Sequence, residues 1–327
     1  MCSLGIAQQR RWVSSQRQQS LKYPVVLVHG FLGFTNIGPI NYFKVKQCLE
    51  KELNLKVYQP QIPPTASVEQ RAEALRQQLP KNEKVNIIAH SMAGLDSRWL
   101  LDPSSARGNQ AAQNVSSLVT LGTPHRGSAL ADFFMSSFRI YPNHNSLDGL
   151  KRKYTSLTQK YRWDSDSEIL GKRFGALACL TTQYAAKFNE EIIDNPSVDY
   201  ISVGGYRKSD DMAPLLKTSC QYLEEREGDN DGLVSLASAS WGSRNITVEA
   251  DHMELVGWQL PFAETSFRRL VQEYLPKEAQ RGLERLLSDM NPRNSNEAIS
   301  QGQKQYNSFD AELFFGQLIN ELAERGH

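Results

Sequence analysis

The chain has little cysteine, no long apolar run and no surplus of charge of either sign, and each shortage removes a class of protein. Its four cysteines, Cys2, Cys48, Cys179 and Cys220, lie far apart with no C-x-x-C pair, so neither a zinc site nor a disulfide framework is indicated. Free thiols in a reducing compartment are the expectation. The strongest apolar run, "VVLV" at 25–28, is far shorter than a membrane span, which predicts a soluble or peripheral protein. Lys and Arg number 37 against 36 Asp and Glu, a net charge of +1. That balance offers no attraction for nucleic acid or for a strongly acidic partner. No internal repeat is present.

Acid is missing from the beginning of the chain. Residues 1–22 carry Arg10, Arg11, Arg17 and Lys22, and the first acidic residue is Glu50. That composition predicts a mitochondrial transit peptide; the alternative is a disordered basic N-terminus with no address. A secretory signal would need a continuous apolar stretch, which "CSLGIA" is too short to supply.

What the 327 residues do contain is alternation. Strand-like runs at 23–30, 55–60, 84–91, 116–124, 198–205 and 245–252 are interleaved with helical patterns, which predicts an α/β fold: a mostly parallel central sheet with helices on both faces. "SVEQRAEALRQQLP" (67–80) reads as a crossover helix with a serine cap, a mixed charged face and a proline stop. Between Gly122 and Val198 lies an insertion too long for a bare loop. Its Phe133, Phe134, Met135, Phe138, Ile140 and Tyr141 read either as core or as the apolar face of a lid. The basic triplet at 151–153 reads as a solvated face. Two amphipathic helices, at 262–275 and 309–326, are joined by a polar stretch (288–308) expected to be mobile. The second repeats Phe314, Leu318 and Leu322 with Phe315 and Ile319 beside them, a stripe expected to dock on the body.

Chemistry enters at "VNIIAHSMAGLDSRWL" (85–100), where an apolar run meets a serine and passes straight into a helical pattern. That is the form of a nucleophile elbow, with Ser91 at its apex. Serine is a weak nucleophile alone and needs a histidine base oriented by an acid. In the order Ser, Asp, His, "GDNDGLVS" supplies Asp231, with Asp229 as its rival, and His252 follows on a loop leaving a strand. His327 is set aside because nothing is expected to hold it in register. His29 and His90 read as packing residues, and His125 with Arg126 as a loop brace. The glycine turn in "VHGFLGF" (28–34) places the Phe31 N–H where it and the Met92 N–H can converge on a developing oxyanion. A phosphate loop is the discounted alternative for this turn, which lacks the lysine and glycine spacing of such loops.

Six motifs in matching order, "YPVVLVHGFLGF", "AHSMAGLDSRWL", "VTLGTPHRGSALADF", "LTTQYAAKFN", "NDGLVS" and "DHMELVGW", resemble the triacylglycerol lipase family of the α/β-hydrolase superfamily, both bacterial true lipases and fungal mitochondrial lipases. The resemblance covers about residues 23–260. It implies Ser91, Asp231 and His252 as catalytic residues and Phe31 and Met92 as oxyanion donors. It also implies a serine hydrolase cleaving carboxylic esters of lipids, most simply triacylglycerols, with a phospholipase or short-chain carboxylesterase as alternatives. A non-catalytic lipid-binding protein on the same fold is the rival of another class. Expected partners are the lipid ester and a lipid surface touched peripherally, and without a transit signal the location becomes cytoplasmic or the lipid-droplet surface. Residues 23–275 would form the catalytic domain, with a helical lid insertion at about 125–197, and 276–327 a helical extension packed on it.

The chain departs from the family pattern in three places. Alanine stands at 89 and 93, where the elbow usually carries glycine, and small side chains are expected there because strand and helix crowd. Glu254 and Trp258 stand where bacterial relatives place an aspartate and a glutamine around calcium, so neither a metal nor a cofactor is expected. Ala237 falls where a disulfide cysteine of those relatives would be, which fits a reducing location.

Overall fold

The computed structural model describes residues 21–33, 36–37, 40–137, 175–258 and 309–327. Each of the six apolar runs forms a strand: β1 (Val25–Val28), β2 (Val57–Tyr58), β3 (Val85–His90), β4 (Val115–Leu121), β5 (Asp199–Gly205) and β6 (Arg244–Val248). They make one sheet in the order β2-β1-β3-β4-β5-β6, and every pairing is parallel. Parallel strands are covered on both faces, which is why β1 and β3 are buried throughout and read as continuous apolar runs. The outer strand β6 is the exception. Its Arg244 and Asn245 are exposed and give the edge a charged, polar character that discourages further pairing.

The helices are α1 (Lys46–Lys51), α2 (Val68–Gln78), α3 (Ala93–Leu101), α4 (Ala106–Gln113), α5 (Ala129–Ser137), α6 (Thr182–Glu191), α7 (Pro214–Glu227), α8 (Leu236–Ala239) and α9 (Ala311–Glu324). Helix α2 starts as its sequence requires: Ser67 accepts the Gln70 N–H while the Gln70 side chain accepts the Ser67 N–H. On one face of the sheet, Val26, Val28, Ile87 and Ala89 pack against Ala72 and Leu75 of α2, Ala93 and Leu100 of α3 and Ala111 of α4. On the other, Leu27, Ile88, Val119 and Val203 pack against Leu49 of α1 and the stripe Phe315, Leu318, Ile319 and Leu322 of α9. Helix α9 is therefore a structural layer, since its stripe completes the cover on that face.

One expectation is overturned here. His327 is held in register: its carbonyl accepts the Lys22 N–H (2.6 Å), its Nδ1 meets Ser116 Oγ (2.9 Å) and its Nε2 meets Asp199 Oδ2 (3.1 Å). A register shift in the β3–β4 ladder, from Val85↔Val115 to Asn86↔Ser117, leaves Ser116 out of the pairing. Asp199 also takes a bidentate contact from Arg325. Sequence reasoning treated a terminal histidine as loose, whereas three partners far apart in the chain fix it.

Cys48, Cys179 and Cys220 are buried and free. Among the described residues no helix is long and apolar enough to cross a membrane. The basic segment 1–20, the central part of the insertion with Phe138, Ile140 and Tyr141, the triplet at 151–153, the expected helix at 262–275 and the polar stretch 288–308 lie outside the described residues. Of the aromatic cluster, Met135 is buried, and Phe133 packs edge-on against Tyr222.

Candidate active site

The chain leaves β1 towards one edge of the sheet and β3 towards the other, so a crevice opens between the carboxyl ends of these neighbours. Gly30 and Ser91 meet there. A Cβ on Gly30 would stand 2.7 Å from Ser91 Cβ and 3.3 Å from its Oγ, so only glycine lets the loop after β1 pass beside the serine. Ser91 has φ +56°, a left-handed conformation that costs a non-glycine residue about 1–2 kcal/mol. Surrounding bonds hold it: Ser91 N–H donates to Leu121 O (2.8 Å), and Ser91 O accepts Thr123 Oγ1–H (2.7 Å) and the Gly94 N–H (3.1 Å). Ala89 and Ala93 are fully buried in the core, and beside them a Cβ on Gly94 would come within 2.2 Å of Thr123 Oγ1.

The turn after β1 is closed by Gly33 N–H to Gly30 O (3.1 Å) and anchored by Leu32 N–H to Pro64 O (2.9 Å). Leu32 also has positive φ (+55°), so strained residues stand on both sides of the crevice. Among the described residues no acceptor takes the N–H of Phe31 or of Met92. Under this turn lies the wholly buried Arg71. It donates Nε–H to Asp96 Oδ2 on α3 (2.8 Å) and its two terminal nitrogens to Pro63 O (2.7 Å) and His29 O (2.8 Å). One guanidinium thereby ties the nucleophile helix to the turn carrying Phe31. Among the described residues Asp96 Oδ1 has no hydrogen-bond partner, and burial pushes the Asp96 carboxyl up to about 7 against the pull of Arg71. Arg71 passed unnoticed in the sequence as part of a charged helix face. Its signal was its position: it falls on the buried stripe Val68, Arg71, Ala72 and Leu75.

His252 and Asp231 are brought together. His252 Nδ1 lies 2.7 Å from Asp231 Oδ2, and both side chains are buried. Asp231 cannot swing away, because its Oδ1 accepts the N–H groups of Leu233 (2.9 Å) and Val234 (2.8 Å) and its carbonyl accepts that of His252 (2.9 Å). With a carboxylate at Nδ1, the proton of the neutral ring sits there and Nε2 keeps its lone pair. The rival Asp229 is exposed and pairs with Lys208 at 2.9 Å. Ser91 Oγ makes no hydrogen bond to a described residue.

Gly122 links these parts. It follows Leu121, whose carbonyl holds Ser91, and a Cβ on it would stand 2.8 Å from Asp231 Oδ2 and 3.1 Å from His252 Nδ1. Its φ of +55° adds backbone strain to any substitution. Gly122→Ala should therefore push the pair apart and lower turnover by about 10²-fold, the usual consequence of an ångström-scale misplacement. Steady-state kinetics alongside a thermal melt would check this, and unchanged turnover would mean that the pair is not used.

A second acidic group flanks the histidine. Glu254 takes a bidentate contact from the buried Arg207, Nε to Oε2 at 2.7 Å and a terminal nitrogen to Oε1 at 3.1 Å. Asp251 Oδ1 accepts the N–H groups of Met253 and Glu254, both at 2.9 Å. Burial, reinforced by Glu254, raises the Asp251 carboxyl well above the usual range. The Glu254 carboxylate thus faces a guanidinium, and Trp258 donates its indole N–H to Tyr42 O at 2.6 Å. Neither Arg207 nor Asp251 was singled out from sequence, where a lone arginine after a glycine pair carries no pattern.

Among the described residues the group with metal-ligand spacing is Cys48, Glu52 and Glu312, whose ligand atoms lie within 4.8 Å of one another. It joins α1 to α9 and lies outside the crevice. Ser116, His327 and Asp199 also form a serine–histidine–aspartate contact, but Ser116 sits in an extended strand with no helix N-terminus behind it. His125 and Arg126 brace the loop after β4: His125 stacks on Trp241 with ring centroids 5.3 Å apart, and Arg126 donates to Ala237 O and Ser240 O at 2.6 Å.

A model of the PGAP1-like alpha/beta domain matches residues 44–158. Triacylglycerol lipase 2 of Saccharomyces cerevisiae is 32% identical over 244 residues, taking in 69% of this chain and 65% of that protein. The triacylglycerol lipase of Vibrio cholerae is 30% identical over 207 residues, 60% of this chain and 62% of that protein. The chain thus spans somewhat under two thirds of the length of these relatives. Among solved structures, the Staphylococcus hyicus lipase superposes with a TM-score of 0.54 at 18% identity, covering 81% of this chain and 98% of that one. The mature Bacillus licheniformis lipase gives 0.53 at 21% identity, covering 78% and 94%. At such identities the superpositions speak for the fold, and the curated relatives speak for descent. Together they show an α/β-hydrolase fold and a likeness, over about two thirds of this chain, to curated triacylglycerol lipases.

Proposed function

We propose that this protein is a serine hydrolase that cleaves carboxylic esters of lipids, with triacylglycerols as its leading substrate class. The observation that carries the reading is Ser91, held at φ +56° between a strand and a helix, on the same sheet edge as the buried His252–Asp231 pair. Ser91 Oγ attacks the ester carbonyl while His252 Nε2 takes its proton; the negative charge that gathers on the carbonyl oxygen is received by the N–H groups of Phe31 and Met92. The imidazolium, steadied by Asp231, passes the proton to the departing alcohol. An acyl-enzyme remains, which water then hydrolyses by the same route in reverse order. The curated names of the yeast and bacterial relatives support the choice of triacylglycerol over other esters.

An active-site-directed fluorophosphonate tests the reaction class, because it labels an activated serine and leaves an ordinary one untouched. Labelling should map to Ser91. A hydrolysis panel of triacylglycerols, phospholipids and p-nitrophenyl esters of graded length then tests the substrate class. Turnover of triacylglycerols should exceed that of phospholipids, and the reverse ranking would replace the lipase reading with a phospholipase one.

A further inference from the structure

Three loops must keep a fixed mutual position for the reaction above: the turn carrying Phe31, the elbow carrying Ser91 and the turn carrying His252. Besides the Arg71 tie between the first two, the structure holds a chain of buried contacts that touches all three. Tyr42 Oη lies 2.7 Å from His90 Nδ1, and His90 Nε2 lies 2.9 Å from the carbonyl oxygen of His252. The Tyr42 ring also packs against that of His29, with centroids 5.8 Å apart. His29 opens the turn that carries Phe31, His90 precedes Ser91, and the last acceptor is the backbone of His252 itself.

The direction of each bond follows from what each atom can do. A carbonyl only accepts, so His90 Nε2 carries the proton. Its Nδ1 is then a bare lone pair, and the Tyr42 hydroxyl donates to it. Burial holds His90 well below its ordinary pKa, with the nearby His252 adding to the effect, so the ring stays neutral and keeps this single tautomer. His90 and His252 lie with ring centroids 4.5 Å apart, so the two imidazoles also pack directly. Tyr42 itself is pinned from the other side, where its carbonyl accepts the Trp258 indole N–H at 2.6 Å.

We propose that Tyr42 and His90 are positioning residues: a neutral relay, Tyr42 Oη–H to His90 to His252 C=O, set against the turn carrying Phe31 by the Tyr42–His29 packing, that fixes the spacing of oxyanion donors, nucleophile and base. The proposal rests on the serine hydrolase reading. It gives a role to two side chains that otherwise read as packing, and it assigns their contribution to the chemical step, since neither lies between substrate and solvent on the strength of its contacts: both are buried.

Tyr42→Phe removes one oxygen and leaves the ring, so it tests the relay with the least risk to folding. It should lower kcat by about tenfold or more with KM within twofold of wild type, and the rate of fluorophosphonate labelling at Ser91 should fall in parallel. His90→Leu should do at least as much. Because both residues act through one chain of bonds, the double variant should lose little more than the worse single one, whereas two independent packing roles would multiply. Thermal melts of Tyr42→Phe keep this readable: the kcat loss should remain at temperatures where the variant is fully folded. Wild-type labelling and kcat in folded Tyr42→Phe, a loss confined to KM, or multiplicative losses in the double variant would each overturn the relay. A wild-type protein that fluorophosphonate does not label would instead overturn the catalytic reading and the relay with it.

Discussion

Ser91→Ala and His252→Ala should each cut turnover of lipid esters by ~10⁴-fold or more, and the double variant should lose little beyond the worse single one. Members of one catalytic unit cannot be removed twice: once the serine is gone, a base has nothing to deprotonate. Asp231→Asn should fall by about 10⁴-fold, because an amide in the place of Oδ2 turns a donor towards Nδ1 and favours the wrong tautomer. Asp229→Asn should stay near wild type, since Asp229 is exposed and contacts Lys208. Initial rates on an emulsified ester and on a soluble ester would check all five variants. Near-normal turnover of Asp231→Asn together with loss in Asp229→Asn would move the acid to the rival position.

Arg71→Met should be among the most destabilising single substitutions in the molecule, by about 3–5 kcal/mol. It leaves the wholly buried Asp96 without a counter-charge and takes the donors from His29 O and Pro63 O. A second variant separates charge from geometry. Arg71→Met combined with Asp96→Leu removes both charges, so most of the lost stability should return, as buried pairs replaced by apolar residues often show. Turnover should not return with it, because nothing then binds the carbonyls that fix the turn under Phe31. Denaturant melts and kcat measured on both variants would decide. Full recovery of kcat in the double variant would reduce Arg71 to a counter-ion.

The fold was legible in the sequence where local pattern and final environment agree. A parallel strand covered on both faces needs an unbroken apolar run, so "VVLV" and "VNIIAH" announced β1 and β3. The helix α2 carried its own start signal in Ser67 and Gln70. Ser91 was legible because the strand-to-helix switch is itself a local event, and His252 because few histidines follow a suitable acid. What stayed hidden depends on partners distant in the chain. Arg71 and Asp96 are 25 residues apart and Arg207 and Glu254 are 47 apart, and a pairing of that kind leaves no periodicity. His90 was visible beside the serine, but its use required Tyr42, which is 48 residues away, and the His252 carbonyl, 162 residues away. The alanines at 89 and 93 are visible as departures from glycine, whereas the close approach of Gly94 to Thr123 involves a second loop and leaves no local pattern.

The seating of α9 in the core on one face of the sheet has a consequence for how the molecule is made. Phe315, Leu318 and Leu322 belong to the same cluster as Leu27 and Ile88, so early strands and a late helix share one core. Contacts of such long sequence separation form slowly, because the intervening chain must close a large loop first. During synthesis β1, β3 and β4 emerge well before α9, and the part of the sheet that α9 will cover then has to wait exposed. A nascent chain halted before residue 309 would present Leu27, Ile88 and Val119 to its neighbours, the kind of surface that recruits chaperones or drives aggregation. Folding yield, more than equilibrium stability, is where substitutions in the α9 stripe would first be felt.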